Sequence, residues 1–238
     1  MAEWVTHLWV ADEVMKRFQQ LDRHGFCVGN IAPDCNLLNE EGTTFVPARE
    51  VTHWMNGRRK TAEDCKEFYN KYVLSRADEI KTKEEQSFLL GYYSHLITDA
   101  ELQRTIRDPE RVAAAWERIK KVPELAEKAS GQPEDWDTVK RILSREERMK
   151  DFFCMEREYL DAHPGSGWFT EIRELEDFPD YIDYLPAQSI PKKIKMMYYE
   201  PSGERSVYPF LAFSREEYKG FVKRAIELVT DAIKDAVK

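Results

Sequence analysis

The pattern of apolar and polar positions along the chain is mostly helical. Residues 6–22 carry apolar side chains at positions 8 to 11, 14, 15, 18 and 21, the spacing of an amphipathic helix. A second apolar pattern, at positions 88, 89, 92, 93, 96 and 97, predicts a largely buried helix over about 84–104. Between them, the segment from Gly25 to about Gly57 is rich in Gly, Asn and Pro, so we expect a loop there.

Helix start signals divide much of the remaining chain. Thr61 is expected to cap a helix that runs to about Asp78, and Asp108-Pro-Glu to begin one that reaches about residue 121. Residues 134–161, rich in charge pairs at i,i+4 spacing, are predicted to form one long helix or two. Ser214-Arg-Glu-Glu is a capping box that opens a final helix. The chain is therefore predicted to be one all-α domain over residues 1–238, a multi-helix bundle.

The segment from His163 to Phe213 interrupts this pattern with several prolines and many aromatic residues. We expect it to wrap the bundle and bury its rings, the alternative being a lid over a substrate. Within it, Ile194–Tyr199 and Ser206–Phe213 are expected to form a short hairpin around Pro201-Ser-Gly-Glu.

Composition narrows the function classes. The net charge of the 238 residues is −8, so we expect no stable binding of nucleic acid. No stretch approaches the roughly 20 apolar residues that span a bilayer. The N-terminal sequence lacks the pattern of a signal peptide, and we expect a cytoplasmic protein. The four cysteines have no CxxC spacing and are expected to be free thiols. The sequence does not indicate the oligomeric state.

The most informative chemistry is His95-Leu-Ile-Thr-Asp99, because residues four apart share one face of a helix. A buried imidazole beside a buried carboxylate is costly unless a cation lies between them, so a metal ion is expected, with a plain His–Asp hydrogen bond as the alternative. Asp34 and His53 would complete a set of two histidines and two carboxylates. Such a set suits zinc, and iron or manganese are also chemically reasonable. A zinc site made of His24, Cys27 and Cys35 is a further alternative.

Four elements in order carry a resemblance: Thr6-His7, Gly29-Asn-Ile-Ala-Pro-Asp34, Thr52-His-Trp54 and Gly91-Tyr-Tyr-Ser-His-Leu-Ile-Thr-Asp99. Over roughly the first 100 residues the chain resembles the zinc-dependent phospholipase C family, which shares an all-helical fold with the P1-type nucleases. The resemblance implies that Asp34, His53, His95 and Asp99 hold a first zinc. It also implies that His7 holds a second zinc, bridged to the first through Asp99, and that Asp34 acts as the general base.

The chain departs from the family pattern in two places. Secreted members bind metal through an N-terminal tryptophan, whereas the nearest tryptophan here is Trp4. No histidine follows Asp99 until His163, which we expect to be a surface residue, so a third metal site is expected to be absent. Glu101 or Asp12 is a candidate to complete the second site.

These observations predict a metal-dependent hydrolase of phosphate esters, such as a phosphodiesterase, with a metal-activated water as the nucleophile. The substrate would be a phospholipid or a small soluble phosphoester. The alternative is a non-catalytic helical protein in which a metal ion serves stability or partner binding.

Overall fold

The computed structural model describes residues 2–55, 65–197 and 200–237, and this part of the chain is built from helices of uneven length. The helices are α1 (Trp4–Met15), α2 (Arg23–Ile31), α3 (Arg49–Thr52), α4 (Lys66–Phe68), α5 (Lys83–Thr105), α6 (Pro109–Lys120), α7 (Pro123–Ala129), α8 (Trp136–Ile142), α9 (Arg145–Ala162), α10 (Ser189–Met196) and α11 (Arg215–Ile233). Three tighter or wider turns join them, namely a 3₁₀ turn at Ala32–Asp34 and π-helical turns at Tyr69–Leu74 and Trp168–Ile172. Strands β1 (Leu37–Leu38) and β2 (Phe45–Val46) pair antiparallel, with Leu37 opposite Val46. The all-α prediction is confirmed.

Helix α5 is the centre of the core. Every residue from Ser87 to Leu102 is buried, and the helix packs against α2, α11 and α1. The predicted apolar positions cover one side of this helix, and small or polar residues such as Gly91, Ser94 and Thr98 are buried on the other side. Thr82 caps the first turn by accepting a hydrogen bond from the Glu85 N–H at 3.0 Å. None of the helices in the described residues is both long and apolar enough to cross a bilayer.

The contact between α2 and α5 is so close that it requires glycine. A methyl group at Gly29 would overlap the backbone carbonyl of Phe88, and one at Gly91 would overlap the carbonyl of Phe26. The expected loop from Gly25 to Gly57 is therefore wrong over its first part, because Arg23–Ile31 is a helix. Gly25 and Gly29 allow two backbones to touch rather than breaking the helix.

Several predicted helix boundaries are also corrected. Helix α1 ends at Met15 instead of residue 22, because Asp22 caps a separate helix by accepting from the Gly25 N–H at 2.7 Å. Residues 134–161 form two helices, α8 and α9, and Ser144 caps the second. The predicted start at Thr61 lies outside the described residues.

The hairpin expected within 194–213 is wrong, since Ile194–Met196 ends α10 and residues 207–213 form turns and bends. Tyr198 and Tyr199 lie outside the described residues. In this segment the backbone N–H groups bond to carboxylates of α9 instead of to a neighbouring strand. Glu147 accepts from the Val207 N–H at 2.7 Å, and Asp151 accepts from the Phe210 N–H at 2.9 Å. Elsewhere in the aromatic segment, Trp168 and Phe178 are buried as expected.

Replacing Gly29 by alanine should destabilise the protein by about 3 kcal/mol, because the new methyl group forces two helix backbones apart. Gly220→Ala is a matched control on the exposed face of α11, where a methyl group meets no neighbour, and it should raise stability by about 0.5–1 kcal/mol. Urea unfolding checks both variants. Equal stability of Gly29→Ala and the wild type would contradict the close contact.

Burial raises the pKa of Asp151 to about 7, so the folded protein holds this proton more tightly than the unfolded chain. The bound proton therefore contributes to the free energy of unfolding. This contribution is fully present below about pH 4 and is lost as pH rises to about 7. Asp151→Asn stays neutral and keeps an acceptor for the Phe210 N–H. It should match the wild type in stability at about pH 4 and exceed it by about 1–2 kcal/mol at about pH 8, after allowance for solvent screening. Parallel stability–pH curves from urea unfolding would refute this.

Candidate metal centre

Five side chains from four parts of the chain meet at one place beside α5. They are His7 on α1, Asp34 in the 3₁₀ turn after α2, His53 directly after α3, and His95 and Asp99 on α5. These are the five residues that sequence reasoning predicted as metal ligands, and we refer to them as the histidine–aspartate cluster. Asp34 is partly exposed, whereas the other four members are buried.

The donor atoms of the cluster converge. His53 Nε2 lies 3.2 Å from Asp34 Oδ1, 3.3 Å from His95 Nε2 and 3.7 Å from Asp99 Oδ2. On the other side of the carboxylate, His7 Nε2 lies 3.7 Å from Asp99 Oδ1. Two sets of ligand atoms lie close enough to hold a metal ion, namely His7 with His95 and Asp99, and Asp34 with His53 and His95.

Backbone and hydroxyl groups fix the orientation of two of the rings. His95 Nδ1 donates to the carbonyl of Asn30 at 2.8 Å, which leaves Nε2 with a free lone pair. His53 Nδ1 lies 2.8 Å from Thr52 Oγ1, so its Nε2 also faces the cluster. Partners of this kind on the outer nitrogen are typical of histidines that bind metals.

His7 is the least satisfied member of the cluster. Its ring is stacked on that of His95 with 3.7 Å between centroids, and it is completely buried. Neither of its ring nitrogens has a hydrogen-bond partner among the described residues. Buried polar atoms are rarely left in this state, so each case needs an explanation such as a bound ion.

The protonation states at neutral pH suit a cation. Burial lowers the pKa of His7 to about 4 and that of His95 well below its ordinary value, so both imidazoles are neutral. Burial also opposes the charge on Asp34, but the hydrogen bond from His53 lowers the pKa of Asp34, which falls to about 2. The cluster therefore combines neutral nitrogen donors with an ionised carboxylate, as metal binding requires.

Arg49 contacts the cluster and was missed by sequence reasoning. Its Nη2 donates to Asp99 Oδ2 at 2.7 Å, while the backbone N–H of Ala2 donates to Asp99 Oδ1 at 3.0 Å. Arg49 precedes His53 by four positions, the same spacing that singled out His95 and Asp99, so this signal was available in the sequence.

The other expected candidates lie elsewhere. Asp12 accepts from the Tyr159 hydroxyl at 2.8 Å, Glu101 pairs with Arg104, and His163 Nδ1 bonds to the Tyr159 carbonyl. The alternative site at His24, Cys27 and Cys35 does not form. His24 pairs with Glu171, and these three residues belong to neither set of ligand atoms.

The cluster opens into a cavity of about 580 Å³, which we call the larger cavity. Asp34 and His53 line it, together with Arg49, Lys193 and the ring of Phe45. This volume lies within the range of cavities that bind small ligands. A molecule in the cavity would reach the cluster from the side of Asp34.

Residues 6–100 match the zinc-dependent phospholipase C family. The match confirms the resemblance over this segment, and the segment contains all five members of the histidine–aspartate cluster. No curated protein and no solved structure matches the chain significantly. The residues after 100, which include the end of α5 and all of α6 to α11, lie outside the zinc-dependent phospholipase C match.

We expect purified protein reconstituted with zinc to bind up to two ions, one on each side of Asp99. His95→Ala should abolish binding of the ion held with Asp34 and His53, whereas His7→Ala should remove only the ion on the other side of Asp99. The control variant His163→Gln changes a residue outside the cluster and should bind as much zinc as the wild type. Elemental mass spectrometry gives the counts, and unchanged zinc in His95→Ala would show that the cluster is not the site.

Proposed function

We propose that the chain is a zinc-dependent hydrolase of phosphate esters whose reaction takes place at the histidine–aspartate cluster. The observation that carries this proposal is a buried set of converging imidazole and carboxylate donors that opens into a ligand-sized cavity. The family match over the same residues supports zinc and phosphoester chemistry.

The residues present fit a metal ion. The unpartnered nitrogens of His7 and the free lone pair of His95 Nε2 are donors that zinc prefers, and iron or manganese would also accept this set. Zinc, when bound, supplies a Lewis acid that activates water and polarises a phosphoryl oxygen.

Asp99 is the member best placed to serve two ions. One imidazole lone pair binds one ion, so His95 cannot complete both ligand sets at once. The two oxygens of Asp99 face opposite sides, with Oδ1 toward His7 and Oδ2 toward His53. We therefore assign Asp34, His53, His95 and Asp99 to a first ion, and His7 with Asp99 to a second.

Asp34 is our candidate for the general base. Its carboxylate is ionised and lines the larger cavity, where it can accept a hydrogen bond from an attacking water. A pKa of about 2 makes Asp34 a weak proton acceptor, so orienting the water is a substantial part of the role we propose.

The larger cavity also distinguishes this proposal from a purely structural metal site. Structural zinc sites are closed by four protein ligands, whereas catalytic sites keep a position open to water and substrate. The first ion would have four protein ligands, but the second, held by His7 and Asp99, would keep positions open. Two members of the cluster, Asp34 and His53, line the cavity. This exposure favours catalysis over the non-catalytic alternative.

Zinc-loaded protein should hydrolyse bis(p-nitrophenyl) phosphate or p-nitrophenyl phosphate. Asp34→Asn should lower kcat about 100-fold or more, because the variant loses both a ligand charge and the proposed base. Asp177→Asn, an exposed acid outside the cluster, is the matched control and should retain full activity. Release of p-nitrophenol measures both rates. Asp34→Asn with wild-type kcat would exclude Asp34, and no hydrolysis of any phosphoester by zinc-loaded wild type would exclude the function.

A further inference from the structure

Four cationic side chains border two adjoining cavities beside the histidine–aspartate cluster. The larger cavity and a smaller one of about 310 Å³ share Glu3, Arg49 and Arg145. Lys193 lines the larger cavity and Arg148 the smaller. We propose that these cations form a basic subsite that binds a second phosphate group on the substrate, beyond the one that is hydrolysed. The inference rests on the proposed function for the hydrolysed group, whereas anion binding is argued from the cavities alone.

Among the described residues, three of the four cations, namely Arg145, Arg148 and Lys193, have no carboxylate oxygen within ion-pair distance. Glu3 and Asp34 act on Arg145 and Lys193 from a greater distance. Lys193 is buried, and its Nζ donates to the Asn36 carbonyl at 2.9 Å. A buried cation without a counter-ion is costly, and an anionic ligand would remove that cost. The chain as a whole has a net charge of −8, so this group of cations differs in sign from the protein's overall charge.

The acids in the same cavities do not cancel this charge. Asp34 belongs to the histidine–aspartate cluster. Burial raises the pKa of Asp151 to about 7, so this carboxyl carries less charge than an exposed one. Glu3 is a single carboxyl beside Arg145, Arg148 and Lys193. Burial and the neighbouring Arg145 lower the pKa of Arg148, which indicates that the two guanidinium groups repel each other. The walls therefore keep an excess of positive charge.

The walls of the smaller cavity favour a phosphate over a cationic headgroup. The Arg148 guanidinium lies 5.6 Å from the centre of the Trp136 ring, and Phe152 and Phe213 complete an apolar wall. Apolar surroundings strengthen the attraction between arginine and phosphate, which also bond through two parallel N–H groups. A quaternary ammonium group binds to aromatic rings, but here it would meet the repulsion of the arginines.

Two soluble diesters that differ by one phosphate test the subsite, namely glycerophosphoinositol and glycerophosphoinositol 4-phosphate. Titration calorimetry on the metal-free full-length chain avoids hydrolysis, and circular dichroism checks that each variant is folded. We expect the phosphorylated diester to bind at least about tenfold more tightly, from one added charge-assisted contact. Arg145→Gln/Arg148→Gln should abolish this preference, Arg148→Lys should keep most of it, and Arg141→Gln, outside both cavities, should leave it unchanged.

Three other outcomes of the binding experiments overturn the inference. Equal affinity for the two diesters, or a preference that survives in the double variant, would show that the cations do not bind a second phosphate. Inorganic phosphate that binds as tightly as the phosphorylated diester would show a site for the free anion and not for a substrate group. Zinc-loaded protein that hydrolyses no phosphoester would remove the proposed function, but it would leave the preference in metal-free protein to be judged separately.

Discussion

The contact between the backbones of α2 and α5 determines where the histidine–aspartate cluster forms. Gly29 and Gly91 let the two helices touch, and this closeness brings the carbonyl of Asn30 within 2.8 Å of His95 Nδ1. Helix α2 is followed directly by the 3₁₀ turn that carries Asp34. A wider separation of the helices would break the hydrogen bond that orients His95 and would move Asp34 away from it. Gly29 and Gly91 thus determine the positions of the cluster residues without being ligands themselves.

The histidine–aspartate cluster lowers the stability of the metal-free fold, and a bound metal ion would restore it. His7 is buried, neither of its ring nitrogens has a partner in the part of the chain that the structure describes, and burial keeps His95 neutral. Unpartnered buried polar groups cost about 1–3 kcal/mol each, so the metal-free fold carries this penalty in its own core. A ligand that binds only the folded state recovers the loss and stabilises the protein in proportion to its concentration. Metal binding and folding are therefore expected to be coupled here.

Much of the architecture could be predicted from the sequence, and the reason differs between elements. Helix α5 has an apolar pattern with a capping threonine, and the capping box at Ser214 begins α11 as expected. The i,i+4 spacing singled out His95 and Asp99, Asp34 and His53 completed a plausible ligand set, and the resemblance to the phospholipase C family implied His7. Helix α2 was missed because Gly25 and Gly29 are typical of loops, and only the neighbouring backbone explains them. The predicted hairpin was wrong for a similar reason, because the cause lies in a distant part of the chain. Carboxylates of α9 accept hydrogen bonds from backbone N–H groups that a neighbouring strand would otherwise have bound.

Diffraction at the zinc absorption edge from crystals grown with zinc would test the central claim most directly. The account predicts an anomalous peak among His53 Nε2, His95 Nε2 and the carboxylates of Asp34 and Asp99, at about 2.0–2.2 Å from each donor atom. A second peak beside His7 and Asp99 would fit the bridging role of that carboxylate. Zinc bound elsewhere on the protein, with no peak in the cluster, would contradict the account and leave a buried hydrogen-bonded group of histidines.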